Sequence, residues 1–165
     1  MASLFNITDV LHDDENEALN GKEMKLHLDG SLYVGEWKDG FKHGKGTLTW
    51  PDGAVYSGDW ADNVPMGNGL FKTADGTVFV GHFSENCLQG KGLVSFPDGR
   101  VYVGEFHDSN MKGEGVLFGT EGEMVKGKWE DGEILGKSMV LMRDGRIITG
   151  EWIDGQFVIE KAEVT

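Results

Sequence analysis

The sequence predicts an all-β chain, a single antiparallel sheet built from consecutive β-hairpins. Three observations carry this. Asp29-Gly30, Asp52-Gly53, Asp75-Gly76, Asp98-Gly99 and Asp144-Gly145 stand on one 23-residue grid, and Glu121-Gly122 fills its only gap. Within each unit, residues alternate with period two, the mark of a strand with two different faces. Glycine and aromatic columns repeat in step with the grid, with no insertion or deletion between residues 29 and 155. A register this strict implies that each unit makes the same contact with the next.

Composition agrees. Glycine supplies 26 of the 165 residues and proline only 3, which excludes both a collagen and a proline-rich linker. Glycine at this density needs a structural reason at each position, because inside a strand it costs roughly 0.5–1 kcal/mol.

The first strand of a unit is Ser31-Leu32-Tyr33-Val34-Gly35-Glu36-Trp37, with Tyr33, Gly35 and Trp37 on one face and Leu32, Val34 and Glu36 on the other. The next segment, Lys38-Asp39-Gly40-Phe41-Lys42-His43, reads as the loop inside the hairpin. Its third residue is Gly40, Asn63, Asn86, Ser109, Gly132 or Gly155 in the six units, and most of these types tolerate positive φ. The second strand is Gly44-Lys45-Gly46-Thr47-Leu48-Thr49-Trp50, with Gly44, Gly46, Leu48 and Trp50 sharing a face. The Asp-Gly pair then turns the chain into the next hairpin. A glycine opposite an aromatic residue offers flat backbone for the ring to cover.

These residues resemble the MORN repeat family, whose motif is roughly Tyr-x-Gly-x-Trp-x-x-Gly-x-x-His-Gly-x-Gly. The run from Tyr33 through Gly35, Trp37, Gly40, His43 and Gly44 to Gly46 matches it at every defined position. The resemblance covers residues 29–155. It departs from the motif where the histidine becomes Met66, Gln89, Lys112 and Leu135, where the tyrosine becomes Val125 and Ile148, and at Ser138. It implies an elongated, twisted single-layer sheet with a groove that holds a helix of a partner protein, arrays that pair with one another, and links to membrane lipid.

The ends differ from the interior. Residues 20–28 read as half a repeat, with Glu23 in a glycine column, and repeats start near 29, 52, 75, 98, 121 and 144. A charge on an end strand opposes edge-to-edge pairing. Residues 156–165 read as a capping segment, and a dimer-forming edge is the alternative. The acidic segment 1–19 carries two readings: a short helix capped by Thr8, and a solvated tail.

No catalytic constellation breaks the repeat, so an enzyme is not expected. His12, His27, His43, His82 and His107 lie without metal-ligand spacing. The recurring aspartates fit turns, where Asp hydrogen-bonds its own backbone. Cys87 has no basic neighbour to make it a nucleophile, and as the single cysteine it forms no intramolecular disulfide. Neither a cofactor nor a metal is expected. The net charge of −13 excludes nucleic acid and opposes anionic lipid. The first residues lack the basic and apolar regions of a secretory signal, and there is no run of 18 apolar residues, so a cytoplasmic protein is expected, with a cytoskeletal or membrane-linked assembly as its setting.

A single-layer sheet has no second layer to cover its rings, and open apolar area marks an interaction site. The expected function is therefore a non-enzymatic scaffold. Its groove, lined by Tyr33, Trp37, Trp50, Tyr56, Trp60, Phe79, Phe83, Phe96, Tyr102 and Phe106, would take an amphipathic, basic helix or peptide of a partner protein. Two alternatives stay open: a self-assembling, dimerising structural protein, and a phospholipid-surface adaptor.

Overall fold

The structure, a computed structural model, describes residues 19–153 and 155–164. They form one antiparallel sheet of thirteen strands whose spatial order is the order of the chain. The strands are β1 (Gly21–Leu26), β2 (Leu32–Lys38), β3 (Phe41–Thr49), β4 (Val55–Ala61), β5 (Val64–Lys72), β6 (Val78–Ser84) and β7 (Cys87–Ser95). They continue as β8 (Val101–His107), β9 (Asn110–Phe118), β10 (Met124–Glu130), β11 (Glu133–Leu141), β12 (Arg146–Ile153) and β13 (Gln156–Val164). The described residues contain no helix, and the reading of a helix over residues 8–19 falls almost wholly on 1–18, outside them. No described helix is long and apolar enough to cross a membrane.

Two kinds of connection alternate. The turn inside each hairpin is shorter than the six-residue loop expected from sequence. Asp39 and Gly40 both have positive φ (50° and 81°), as do Asp62 and Asn63 (47° and 71°). Two consecutive positive φ values make a type I′ turn, whose twist matches that of the flanking strands. Phe41, Lys42 and His43 therefore belong to β3 rather than to a loop. The second connection is the Asp-Gly loop. Between β3 and β4, Gly53 N–H donates to Trp50 O (3.0 Å), and Asp52 Oδ1 accepts from Ala54 N–H (2.9 Å).

Consecutive repeats are tied at their type I′ turns. Asn63 N–H donates to Lys42 O, and Asn63 Oδ1 accepts from Lys42 N–H at 2.8 Å. Ser109 makes the same pair of bonds with Leu88. At the start of the sheet, Gly40 N–H donates to Leu19 O and Asp39 N–H to Asn20 Oδ1.

The two glycines of the Gly-x-Gly motif have different tasks. Gly35 faces Gly46 while the next residue, Glu36, faces His43, so Gly44 and Lys45 bulge out of β3. The shift recurs at Gly58, Gly81, Gly104 and Gly127. The bulge places Gly44, Gly67, Gly90, Gly113 and Gly136 at φ between 60° and 89°, a region open to glycine at little cost. The second glycine of each motif is required by a ring, and the ring face is where the core lies.

Candidate functional site

Tyr33, Tyr56 and Tyr102 are fully buried on the inner face, each lying over a pair of facing glycines. A Cβ on Gly46 would stand 2.1 Å from the Tyr33 hydroxyl, and one on Gly35 would stand 2.6 Å from it. The hydroxyl then reaches the chain three residues on. Tyr33 donates to Glu36 O at 3.0 Å, Tyr56 to Asp59 O at 3.0 Å and Tyr102 to Glu105 O at 3.3 Å. Burial, with a smaller push from the Glu36 carboxylate, raises the Tyr33 phenol to about 12. Burial and Glu105 raise Tyr102 to about 12, and burial and Asp59 raise Tyr56 as well.

Each tyrosine is held edge-to-face between two rings, one from its own repeat and one from the next. Tyr33 meets Trp37 at 5.0 Å and Trp60 at 5.3 Å. Tyr56 meets Trp60 at 5.1 Å and Phe83 at 5.3 Å. Tyr102 meets Phe106 at 5.3 Å and Trp129 at 5.2 Å. Each such pair contributes about 0.5–1.5 kcal/mol beyond the area it buries. Trp60 Nε1 donates to Gly46 O (3.0 Å) and Trp129 Nε1 to Gly115 O (3.3 Å). Trp37 and Trp152, in the first and last repeats, have no such partner among the described residues. The positions fourteen residues earlier are Glu23 and Ser138, which carry side chains where interior repeats have bare backbone.

The third repeat solves the same problem differently. Phe79 has no hydroxyl to reach the carbonyl of residue 82, and it sits half-buried beside Phe71 at 6.5 Å instead. Leu88 takes the tyrosine's place: it is fully buried, and a Cβ on Gly81 would meet its Cδ1 at 2.7 Å. The exchange recurs wherever the tyrosine is missing. With Val125, Ile134 covers Gly127, and with Ile148, Phe157 covers Gly150. The same column holds Lys42, Pro65 and Met111 in the tyrosine-bearing repeats, and Lys42 places its Nζ 5.8 Å from both the Tyr33 and Trp60 rings. This column lies outside the ten positions expected from the sequence. Its signal was present, since a large apolar residue appears nine positions after the aromatic column in those units whose tyrosine is lost.

The inner face thus covers itself. Of the ten residues expected to line a groove, Tyr33, Trp37, Tyr56, Trp60, Phe83, Tyr102 and Phe106 are buried, each at most 5% exposed. Trp50, Phe79 and Phe96 are half-buried. These three stand toward the Asp-Gly loops. Trp50 packs on Phe71 at 6.0 Å, and Phe71 on Phe79. Arg100 lies 5.3 Å above the Phe96 ring, its Nε bonded to Asp98 at 2.7 Å.

Two acids of these loops, Asp75 and Asp98, are stabilised in their charged form by hydrogen bonds. A side-chain hydrogen bond from Thr73, with a backbone bond from Thr77, holds Asp75 below the usual carboxylate range. The backbone and side chain of Arg100 do the same for Asp98. A loop therefore presents a half-buried ring and an acidic side chain two residues apart at Trp50 and Asp52, and again at Phe96 and Asp98. No cluster of three or more metal-ligating side chains occurs among the described residues.

The MORN repeat model matches residues 33–55, 56–78, 79–99 and 102–124, more than half of the chain. The chain belongs to the MORN repeat family. No curated protein matches it. Among solved structures, it is similar to the wild-type TCP10 domain of Danio rerio CPAP, with a TM-score of 0.52 and 15% identity over 87% of this chain and 68% of that one. It is also similar to the TCP10c domain of Drosophila melanogaster Sas-4, with a TM-score of 0.47 and 16% identity over 86% of this chain and 93% of that one. A third is the Drosophila melanogaster SAS-4 TCP domain in complex with a proline-rich motif of Ana2, with a TM-score of 0.47 and 13% identity over 85% and 90% of the two chains. The likeness to the CPAP domain is one of fold, an extended antiparallel sheet.

Proposed function

We propose that this MORN array is a non-enzymatic scaffold that binds an amphipathic, basic segment of a partner protein along the loop side of its inner face. The half-buried row of Trp50, Phe79 and Phe96 carries this reading. The tyrosine and tryptophan columns cover one another, which leaves these rings as the aromatic anchors within a partner's reach on the inner face of β3 to β7. Trp50 and Phe96 close β3 and β7, about four interstrand spacings or roughly 19 Å apart. A helix covers that length in about thirteen residues, so apolar side chains on one stripe meet the ring at each end and Phe79 between them. The acids beside the anchors favour Lys and Arg on the partner's flanks.

The test uses tagged full-length chain and its Trp50→Ala/Phe96→Ala variant, both checked by thermal melting. A protein that co-purifies with the native chain is titrated against each. An affinity at least about tenfold weaker for the folded variant supports the row as the binding site. Equal affinity assigns binding elsewhere.

A further inference from the structure

The bulges at Gly44, Gly67 and Gly113 are each covered by an acid of the same chain. The residue after Gly35, Gly58 and Gly104 is Glu36, Asp59 or Glu105, on the outer face opposite the rings, and its carboxylate lies on the bulge glycine. A Cβ built on Gly67 would stand 2.9 Å from Asp59 Oδ2. That oxygen accepts the N–H of Asn68 at 3.0 Å, while Asp59 Oδ1 meets the Lys45 ammonium at 2.5 Å. The second repeat therefore holds a carboxylate between one backbone N–H and one lysine. Backbone N–H groups at such turns form concavities that favour anions.

The third repeat has the bulge without the acid. Residue 82 is histidine, and nothing lies within 4 Å of a Cβ built on Gly90. Gly90 has φ 69°, between the 60° of Gly44 and the 80° of Gly67, so the open bulge has the backbone shape of the covered ones. The N–H that corresponds to Asn68 is that of Lys91, which also brings an ammonium group. Glu105 is directly across from Lys91 but turns its carboxylate to Gly113 on the far side. Lys91 forms no ion pair among the described residues.

We propose that the outer-face bulge at Gly90 and Lys91 binds a carboxylate from outside the chain, either an aspartate or glutamate side chain of another protein or a small free acid. The Lys91 N–H donates to one carboxylate oxygen. The Lys91 ammonium and a ring N–H of His82 serve the other. Beside this seat the outer face opens a cavity of about 470 Å³, walled by Gly90, Lys91, His107, Lys112 and Lys128, which takes the body of the acid. The acids nearby are already held. Glu105 lies on Gly113, Glu130 pairs with Lys112 at 2.8 Å, and Asp108 accepts from Gln89 at 2.7 Å. The fifth repeat has the same gap, at Gly136, but there Glu160 stands 3.8 Å from the Lys137 ammonium. The seat is on the face opposite Trp50, Phe79 and Phe96, so it is independent of the binding row proposed above.

Amide spectra of the isotope-labelled full chain test the proposal, with sodium acetate replacing sodium chloride at constant ionic strength. The Gly90 and Lys91 amides are expected to shift saturably, half-way at about 5–50 mM, as one exposed and hydrogen-bonded ion pair gives. Gly67 and Asn68, whose seat is filled, are expected to stay still. His82→Asp, which copies the second repeat, should abolish the shift, and His82→Glu replaces it if the aspartate variant does not fold. Lys91→Ala keeps the N–H and should weaken binding about threefold or more. N-acetyl-aspartate methylamide separates the sources: tighter binding than acetate assigns a protein side chain, and equal binding a free acid. The absence of a saturable shift overturns the proposal. So do equal shifts at Asn68, a shift that survives in a folded His82 variant, and saturation by inorganic phosphate but not by acetate.

Discussion

The Tyr33 ring lies on Gly46 of the neighbouring strand so closely that a Cβ there would stand 2.1 Å from the Tyr33 hydroxyl. Glycine abundance and aromatic abundance are one feature of this chain. Each bare pair of glycines is the bed of a ring, and the ring is in turn wedged between two others. A sheet one layer thick obtains a core this way.

The bed predicts a contrast between two glycines. Gly46→Ala forces the tyrosine off its place and should cost at least about 3 kcal/mol, the upper end of overpacking penalties. Gly53 sits in a loop at φ 90° with nothing within 4 Å of a built Cβ. Gly53→Ala should cost only the backbone strain, about 1–2 kcal/mol. Urea unfolding of the two variants measures the difference, and equal costs would mean that the ring can move aside.

The third repeat predicts a coupling. Leu88→Pro, which copies the second repeat, opens a cavity over Gly81 and should destabilise by about 2–5 kcal/mol. Phe79→Tyr alone brings in a ring whose bed is occupied. Together the changes rebuild the arrangement of Tyr56 and Pro65, so the double variant should be more stable than Leu88→Pro by at least about 1 kcal/mol. Additive losses in this double-mutant cycle would argue against the exchange.

How far the sequence carried these features depended on whether they were periodic along the chain or created across it. The grid, the two faces of each strand, the hairpin order and the role of Gly46 were all legible, because each repeats in register. The shortness of the Asp39-Gly40 turn was not, since a six-residue loop and a two-residue turn followed by a bulge occupy the same length of sequence. The bulge at Gly44 decides between them, and it exists only relative to β2. The ring columns were legible as a face, but their burial was not. That depends on Tyr33 reaching Trp60 in the next repeat, which no spacing within one unit states. The same cross-repeat contact narrows the candidate site from ten rings to Trp50, Phe79 and Phe96.

The buried phenols predict alkaline behaviour. All 3 tyrosines of the chain are the ones over glycine pairs. In the unfolded chain they titrate near 10. Folding raises Tyr33 and Tyr102 to about 12, by burial first and then by the nearby glutamates. The stability tied to their protonated form is therefore whole below pH of about 10 and is lost as the pH rises toward about 12. Melting temperature should fall across that window, and tyrosinate absorbance should appear together with loss of the sheet signal. Ionisation near pH 10 in an intact sheet would show that the rings are wet.

Tryptophan quenching reads directly whether the single layer buries its own aromatic face. Trp50 and Trp152 are half-buried, while Trp37, Trp60 and Trp129 are at most 5% exposed. Changing Trp50 and Trp152 to phenylalanine leaves only the buried three. Acrylamide is then expected barely to quench the remaining emission, which is blue-shifted. Quenching as efficient as that of free indole, in a variant that keeps its sheet, would contradict it.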